Sequence, residues 1–549
     1  MTQQTRLFGS ARLISLCTVA SRITGLARDI LLNRAYGQGW VQDAFNYGFL
    51  IPNLFRRLFG EGALSAVFVP VFTDVLDQKG RVAAWVLLGR VTGLLALALV
   101  ALTLLVEVGV LAAASFSTGG RELHIGLTAV MAPFMIGVCL LALFSSILNC
   151  LNHFTVPALL PIVLNVMIVL GVVLVGPMVG TMLNNHALDH QIYGVAACVL
   201  VASVLQLVII LPVLRRHGVR FRWSLNTADP DLRRILRTFI PVLIGQGVLL
   251  FNVFFDAQIC TTLTRPPGAP ATGSFLGMEF VYPLAQGALS AVNNAQRLYQ
   301  FPLGVLAIAL ATAALPMFSL HASRGEMTGL RSSVAQSLRL AIYEGLPAGL
   351  MMLVLAAPII SLLFEHGRFG PEQTERAARI LRWYGVGMAA FCAQHILLRA
   401  FYSLKDTLTP MWISCGLVAL NWIMNLTLVW HLREAAFAIS TSTTSILHVT
   451  LSVWFLRKRM GGRIGARQIA TSIGRTIIGG ALALATAYLL LEWTQGWFTG
   501  GPQEVFARVA CVFVPLLGAT GIYLASTRWM GMEEVGWLLG HRRASPSAR

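Results

Sequence analysis

Long apolar runs alternate with short polar connections along this chain, and the pattern predicts a bundle of membrane-spanning helices. A spanning helix needs about 20 mostly apolar residues. Runs of that length lie near residues 84–115, 124–150, 157–182, 191–214, 237–262, 333–364, 378–401, 409–430, 435–456, 469–492 and 504–526. Three further stretches, 11–35, 41–72 and 284–322, are long enough but contain polar or charged residues. We therefore predict an all-α fold of about fourteen transmembrane helices.

The composition supports a polytopic membrane protein. Of the 549 residues, 56% are hydrophobic and 12% are charged, whereas a soluble domain has about 25% charged residues. Disordered, coiled-coil and secreted disulfide-rich classes are excluded by the same figures. The eight cysteines show neither a CxxC pair nor a spacing suited to zinc, so we expect no metal site and no cofactor. The N-terminus lacks the features of a removable signal peptide.

Positive charge is concentrated in a few connections, which predicts the orientation. Lys and Arg total 41 against 23 Asp and Glu, and loops rich in Lys and Arg stay in the cytoplasm. Both basic connections follow an even-numbered span, so both termini are expected to be cytoplasmic. Aromatic residues for base stacking are not interleaved with these clusters, so we expect no nucleic-acid partner. The clusters are Arg215, Arg216, Arg220, Arg222, Arg233, Arg234 and Arg237; Arg457, Lys458, Arg459, Arg463 and Arg467; and Arg542, Arg543 and Arg549.

A weak internal repeat predicts how the helices are grouped. Residues 59–70 resemble 305–316, and residues 152–157 resemble 405–410 at a similar offset. Parallel repeats in transporters place the substrate at the interface of the two halves. We therefore predict two six-helix halves around a central cavity and two additional C-terminal helices. The corresponding boundaries are residues 1–222, 223–465 and 466–527, with a cytoplasmic tail at 528–549.

Several arginines lie within predicted spans, where a charge needs a partner or a cavity. A cation at the bilayer centre costs at least about 2.5–3.5 kcal/mol. For Arg12, Arg34 and Arg57 we favour side chains that snorkel to the headgroups. Arg22, Arg28, Arg56 and Arg297 come from three spans in both halves, and a guanidinium group binds phosphate with two parallel hydrogen bonds. These four predict a phosphate-bearing, anionic substrate.

The motifs around these arginines resemble a known family. The chain reads Ser-Arg-x-x-Gly-x-x-Arg-Asp at 21–29, Asp-Ala-Phe at 43–45 and Pro-Asn-Leu-x-Arg-Arg-x-Phe-x-Glu-Gly at 52–62. Arg-Leu-x-x-Phe-Pro at 297–302 and Phe-Tyr-Ser-x-x-Asp-x-x-Thr-Pro at 401–410 continue the resemblance. These motifs are similar to those of the MurJ/MviN family of bacterial lipid II flippases. The family belongs to the multidrug/oligosaccharidyl-lipid/polysaccharide exporter superfamily, and the similarity extends over about residues 10–460.

The resemblance implies roles for individual residues. The four cavity arginines would bind the pyrophosphate of the substrate, and three acids would pair with arginines and gate the cavity. Four further motif positions would shape the cavity. The chain departs from the family in four places. Leu50 stands where some relatives have a Lys, Gln296 and Gln300 stand where acids are usual, and the connection at 264–285 is longer. The implied gating acids are Asp29, Asp43 and Glu61, and the cavity-shaping residues are Ser21, Gly25, Pro52 and Asn53.

The resemblance also implies a function. The protein would be a transporter, not an enzyme, that flips lipid II (undecaprenyl-pyrophosphate-linked disaccharide-pentapeptide) from the inner to the outer leaflet of the bacterial cytoplasmic membrane by alternating access. It would serve cell wall synthesis as a monomer, with membrane lipids and cell wall synthases as partners, and its two extra helices would line a groove for the lipid tail. A polysaccharide-lipid flippase and a cation-coupled multidrug exporter of the same superfamily remain alternatives. A polytopic glycosyltransferase is disfavoured because the external loops are too short.

Polar residues in later spans suggest a second, weaker site. Carboxylate and amide oxygens could bind a monovalent coupling cation, and the membrane potential is the other candidate energy source. Amides bind cations weakly, so hydrogen bonding between helices is the favoured explanation. A proton relay through His395 is weaker still. The residues of this candidate ion site are Asn252, Asp256, Asn421, Asn425 and Thr441.

Overall fold

The computed structural model describes residues 3–116, 120–184, 187–219, 229–275, 278–462, 465–497 and 504–538. The structure does not describe the side chains of residues 3–15 and 60–66. The predictions for Arg12 and for the gating acid Glu61 therefore lie outside the described residues. Six basic residues used to predict the orientation also lie outside the described residues: Arg220, Arg222, Arg463, Arg542, Arg543 and Arg549.

The chain divides into two compact units, Met1–Ser290 and Ala291–Arg549. The first unit consists of α1 (Gln3–Tyr36), α2 (Trp40–Arg56), the π-helical turn π1 (Arg57–Gly62), α3 (Ala63–Gln78), α4 (Gly80–Phe116), α5 (Glu122–Met131), α6 (Phe134–Cys150), α7 (Thr155–Leu170), π2 (Gly171–Val175), α8 (Gly176–Met182), α9 (Leu188–Arg216) and α10 (Pro230–Thr262). Helix α11 (Ala288–Leu303) begins in the first unit. The second unit continues with π3 (Gly304–Ile308), α12 (Ala309–Ser323), α13 (Met327–Phe364), α14 (Pro371–Ser403), α15 (Leu408–Leu432), α16 (Ala435–Arg459), α17 (Ala466–Trp497), α18 (Glu504–Trp529) and α19 (Glu533–Leu538).

The helices confirm the predicted all-α membrane fold. Ten helical segments of the described chain are long and apolar enough to cross a membrane. The four other long segments are α1, the run α2–π1–α3, α10 and α14. The structure is consistent with the predicted fourteen spans, and the chain is a multi-pass membrane protein.

Two turns repeat the same backbone geometry at the positions that the sequence repeat aligns. Asn152 and Lys405 both adopt left-handed φ values, 59° and 58°. The next residue in each turn donates its backbone N–H to a carbonyl five positions earlier, His153 to Leu148 and Asp406 to Phe401. A left-handed residue with this bond is a common way to end a helix. The same bond also closes other helix ends, such as Glu326 to His321 and Met532 to Thr527, so the internal repeat stays a prediction.

Close backbone packing through glycine holds helix pairs together in both units. In the first unit, a Cβ on Gly194 of α9 would lie 3.2 Å from the Cα of Gly176 in α8. In the second, a Cβ on Gly349 of α13 would lie 2.2 Å from the carbonyl oxygen of Gly385 in α14. Helices in lipid gain stability from such close approach, because lipid supplies no hydrophobic drive for their association.

The connection after α10 contains a β-hairpin, which the sequence analysis did not predict. Strand β1 (Thr272–Phe275) pairs antiparallel with β2 (Met278–Val281), with Thr272 opposite Val281 and Phe275 opposite Met278. The hairpin lies within the 264–285 connection that departs from the resembled family. It adds a small two-stranded sheet to an otherwise helical fold.

Candidate functional site: a buried arginine and a capped helix

Arg28 is the most completely enclosed of the four predicted substrate-binding arginines. It lies on α1 and is 8% exposed. Its Nε and Nη2 atoms donate to Oδ1 of Asp29 at 3.0 and 2.8 Å, and Nη1 donates to Oδ1 of Asn165 on α7 at 2.9 Å. These contacts use three of the five guanidinium N–H groups. Among the contacts described for Arg28, two N–H groups therefore remain for a further acceptor.

Asn165 also joins α7 to α1 by hydrogen bonds. Its Nδ2 group donates to the carbonyl oxygen of Ser21 and to Oγ1 of Thr24, each at 3.2 Å. Gly25 lies beside this amide, and a Cβ at that position would lie 3.5 Å from Nδ2. The predicted residues Ser21 and Gly25 thus take part through the backbone and through the space they leave. The sequence analysis missed Asn165, although a single amide in the apolar run of α7 could have identified it.

The other arginines occupy more open positions. Arg22 is exposed on α1, and Arg297 is exposed on α11. Arg56 is partly buried at the end of α2, where its Nε donates to Oδ1 of Asn53 at 2.9 Å. Pro52 is buried one position before Asn53, and π1 begins directly after Arg56. π-Helical turns occur often at functional sites, and here π1 and π3 follow the helices that bear Arg56 and Arg297.

Asp43 contacts the beginning of α11. One carboxylate oxygen accepts the Gly287 backbone N–H at 2.8 Å, and the other accepts the N–H and the hydroxyl of Ser290 at 2.7 and 2.6 Å. Asn46, one turn later on α2, donates to the Ser290 hydroxyl at 3.1 Å. The first N–H groups of a helix lack partners within the helix and favour negative charge. Asp43 therefore caps α11 from another helix, while its predicted pairing with a cavity arginine stays a prediction.

Gly287 makes this contact sterically specific. Its φ is +84°, and a Cβ would lie 2.3 Å from the carbonyl oxygen of Gln38. Both the left-handed backbone and the absence of a side chain are needed here. The start of α11 is thus closely packed against the connection between α1 and α2, a feature that the sequence analysis did not anticipate.

The candidate ion-site residues are divided between the units, with Asn252 and Asp256 in the first and the other three in the second. Asn425 donates to Oδ1 of Asn421 at 3.1 Å and accepts the Ser440 hydroxyl. The Thr441 hydroxyl donates to a backbone carbonyl of its own helix. Of these contacts, the Ser440–Asn425 hydrogen bond joins α16 to α15, and the other two lie within one helix. In the described part of the chain, no group of three or more His, Cys, Asp or Glu is placed to hold a metal ion.

Comparison with solved structures identifies the fold. A structure titled lipid II flippase MurJ, inward closed conformation, matches with a TM-score of 0.73 and 21% identity, covering 95% of this chain and 100% of that chain. An inward-facing multidrug resistance MATE family transporter of the MOP superfamily matches with a TM-score of 0.59 and 13% identity, covering 80% and 94%. The fold is that of these polytopic transporters.

Sequence comparison identifies the family. The family model described as lipid II flippase MurJ matches residues 32–505, and the chain belongs to this family. A probable lipid II flippase MurJ of Rhizobium meliloti is 30% identical over 92% of this chain and 91% of that protein. The lipid II flippase MurJ of Burkholderia cenocepacia is 29% identical over 96% of this chain and 98% of that protein. The family is one of transporters and not of enzymes.

Proposed function

We propose that this protein flips lipid II from the inner to the outer leaflet of the bacterial cytoplasmic membrane by alternating access, in support of cell wall synthesis. The observation that carries the proposal is Arg28, a cation enclosed in a membrane helix with guanidinium N–H groups still available. A buried charge held by Asp29 and Asn165 is ordered before the substrate arrives. Such an arginine suits the pyrophosphate of a lipid-linked precursor, because both groups form parallel, charge-assisted hydrogen bonds.

The remaining arginines extend this assignment. We assign Arg22, Arg56 and Arg297 to the same anionic headgroup, with Asn53 orienting Arg56. Asp29 balances part of the charge of Arg28, so that the site holds its geometry without substrate. Glu61 is retained as a gating acid on the strength of the family resemblance.

We assign Asp43 to gating through its cap on α11. Three donors converge on one carboxylate within 2.8 Å, and the contact joins residues more than 240 positions apart in the chain. A cap of this kind is typically worth about 1 kcal/mol. A contact of that size is strong enough to favour one conformation and weak enough to exchange within a transport cycle.

The wider setting follows from the same proposal. Both termini lie in the cytoplasm, the protein acts as a monomer among membrane lipids, and cell wall synthases are its protein partners. Helices α17 and α18 line the path of the polyprenyl tail. The membrane potential and a monovalent cation are the two candidate energy sources.

Complementation tests the proposal. A strain depleted of its lipid II flippase should grow when it expresses this chain, and its outer-leaflet lipid II pool should recover. Arg28→Ala and Arg297→Ala should abolish rescue at normal membrane abundance, and the matching Lys variants should rescue partially because an ammonium lacks the bidentate fork. Arg265→Ala is the control, since Arg265 is exposed in a connection and donates to the carbonyl of Ala269. Rescue by both alanine variants at normal growth rate would refute the assigned roles, and failure of the unaltered chain to restore the pool would refute the function.

A further inference from the structure

Helix α11 has one packed face and one exposed face, and Arg297 lies on the exposed one. Val292 and Ala295 are buried, whereas Arg297, Gln300 and Phe301 are exposed. The exposed residues recur at the spacing of three and four that defines one side of a helix. The contacts that set the rotation of α11 about its axis therefore also set the direction in which Arg297 points.

Two side chains on the packed side of α11 contact α14. The ring of Tyr299 lies against Tyr384 with centroids 4.5 Å apart and an interplanar angle of 30°, and against Phe391 at 5.1 Å and 25°. One turn earlier, Nε2 of Gln296 donates to the hydroxyl of Tyr384 at 3.1 Å. Tyr384 is fully buried. Consecutive turns of α11 thus contact the same tyrosine, one through its ring and one through its hydroxyl.

Helix α14, which bears Tyr384, is closely packed against α16. A Cβ on Gly387 would lie 2.6 Å from the Ser442 hydroxyl oxygen of α16 and 2.9 Å from Cζ of Phe391. The Ser442 hydroxyl also donates to the carbonyl oxygen of Trp383 at 2.8 Å. Tyr384 therefore stands on a helix that is packed tightly against α16. Tyr384 can therefore hold α11 in one orientation relative to α14.

We propose that Gln296 and Tyr384, supported by the Tyr299 ring, are positioning residues that set the direction of Arg297 toward the pyrophosphate. The inference rests on the proposed function, which assigns Arg297 to the substrate. Bidentate recognition depends on the orientation of the guanidinium plane, so a small rotation of α11 weakens it. The amide at 296 performs this task without placing a negative charge beside Arg297, at a position where the resembled family usually has an acid.

The test measures lipid II affinity and thermal unfolding of the purified full-length protein. Gln296→Leu and Tyr384→Phe each remove the same hydrogen bond and should each lower the affinity about threefold, the size expected for one hydrogen bond between membrane helices. The double variant should be no weaker than either single variant, because both act on one contact. Tyr343→Phe, which removes another buried hydroxyl bonded to Thr527, should leave the affinity unchanged.

The same variants in an Arg297→Ala background separate this inference from the proposed function. If Arg297→Ala lowers the affinity and Tyr384→Phe then has no further effect, Tyr384 acts through Arg297 as inferred. Equal losses in both backgrounds, or no loss in either, would overturn the inference while leaving the function intact. No effect of Arg297→Ala would remove Arg297 from the substrate site, and the inference would fall with it. A fall in melting temperature common to Tyr384→Phe and Tyr343→Phe measures the loss of stability on removing a buried hydroxyl, as distinct from the loss of lipid II affinity.

Discussion

Replacing Asn165 by aspartate tests whether Arg28 binds the phosphate of the substrate. The change places a carboxylate where the amide oxygen now accepts Nη1 of Arg28 at 2.9 Å. It also removes the two hydrogen bonds that Nδ2 donates to α1. Hydrogen bonds between membrane helices average about 0.6 kcal/mol, and the new ion pair offsets part of their loss. We expect the free energy of unfolding to fall by about 1 kcal/mol or less.

The effect on binding should be much larger. A phosphate bonded to Arg28 would lie roughly 7 Å from the new carboxylate, and at an effective dielectric of about 20 their repulsion is about 2 kcal/mol per pair of charges. The lipid II affinity of Asn165→Asp should therefore fall about thirtyfold. Asn165→Leu is the matched comparison, because it removes all three hydrogen bonds of Asn165 and adds no charge. It should lower stability more than Asn165→Asp and lower affinity less.

The measurements are lipid II affinity by native mass spectrometry and thermal unfolding of the same purified samples. Opposite rank orders in the two assays would show that the charge at Arg28, and not the packing of α1 on α7, governs binding. If Asn165→Asp bound lipid II as tightly as the unaltered protein, Arg28 would not contact the pyrophosphate. Gln206→Glu controls for a new buried carboxylate elsewhere, since Gln206 is buried on α9 and donates to the Leu160 carbonyl.

Three further predictions concern stability and pH. Gly287→Ala should sharply reduce the amount of folded protein, because its Cβ would collide with the Gln38 carbonyl; normal yield and melting temperature would contradict the described turn. Glu534→Gln should lower stability by about 2 kcal/mol, because the buried Glu534 carboxylate accepts hydrogen bonds from Arg339 at 2.7 Å and from Ser472 at 2.6 Å, while Glu533 still pairs with Arg339. Limited proteolysis should then cleave near α19, and an unchanged melting temperature would show the pair to be unimportant. Burial opposes ionisation of Asp406, yet hydrogen bonds to its carboxylate and a nearby guanidinium hold its pKa below the usual range. Its contribution to stability should therefore be present at neutral pH and decrease as the pH falls below about 4. Asp406→Asn should reduce this loss of thermal stability in acid, and an unchanged dependence of the melting temperature on pH would contradict the prediction.

The helices could be predicted from the sequence because each one depends on a local run of apolar residues. Each predicted span is an apolar run that must satisfy its own backbone in lipid, and a helix is the structure that does so. The hairpin at 272–281 escaped prediction for the opposite reason. Its strands are four residues long, and the Gly- and Pro-rich composition around them indicated only an extended connection.

The candidate site was only partly predictable because its geometry depends on distant residues. The Arg28–Asp29 pair lies within one motif, so the sequence alone could suggest it. The partner of Asp43 is more than 240 residues away, and the acid was therefore assigned to arginines by resemblance. Asn165 had the signature of an ordinary helix-packing amide, and nothing in its own neighbourhood in the sequence showed that its partner was an arginine.

Helix α10 shows why the division of the chain differs from the predicted lobe boundary at 222/223. Asp229 caps the first turn of α10 and forms an ion pair with Arg90 of α4. Near the other end of the helix, Gln258 accepts the Tyr47 hydroxyl of α2 at 2.5 Å. A helix bonded at both ends to the first unit belongs to it by contact, even though a basic connection precedes it in the sequence. Polar connections mark where the chain leaves the membrane, whereas long-range polar contacts determine which helices pack together. The lobe boundaries were drawn from the sequence repeat and not from such contacts, and they stay a prediction.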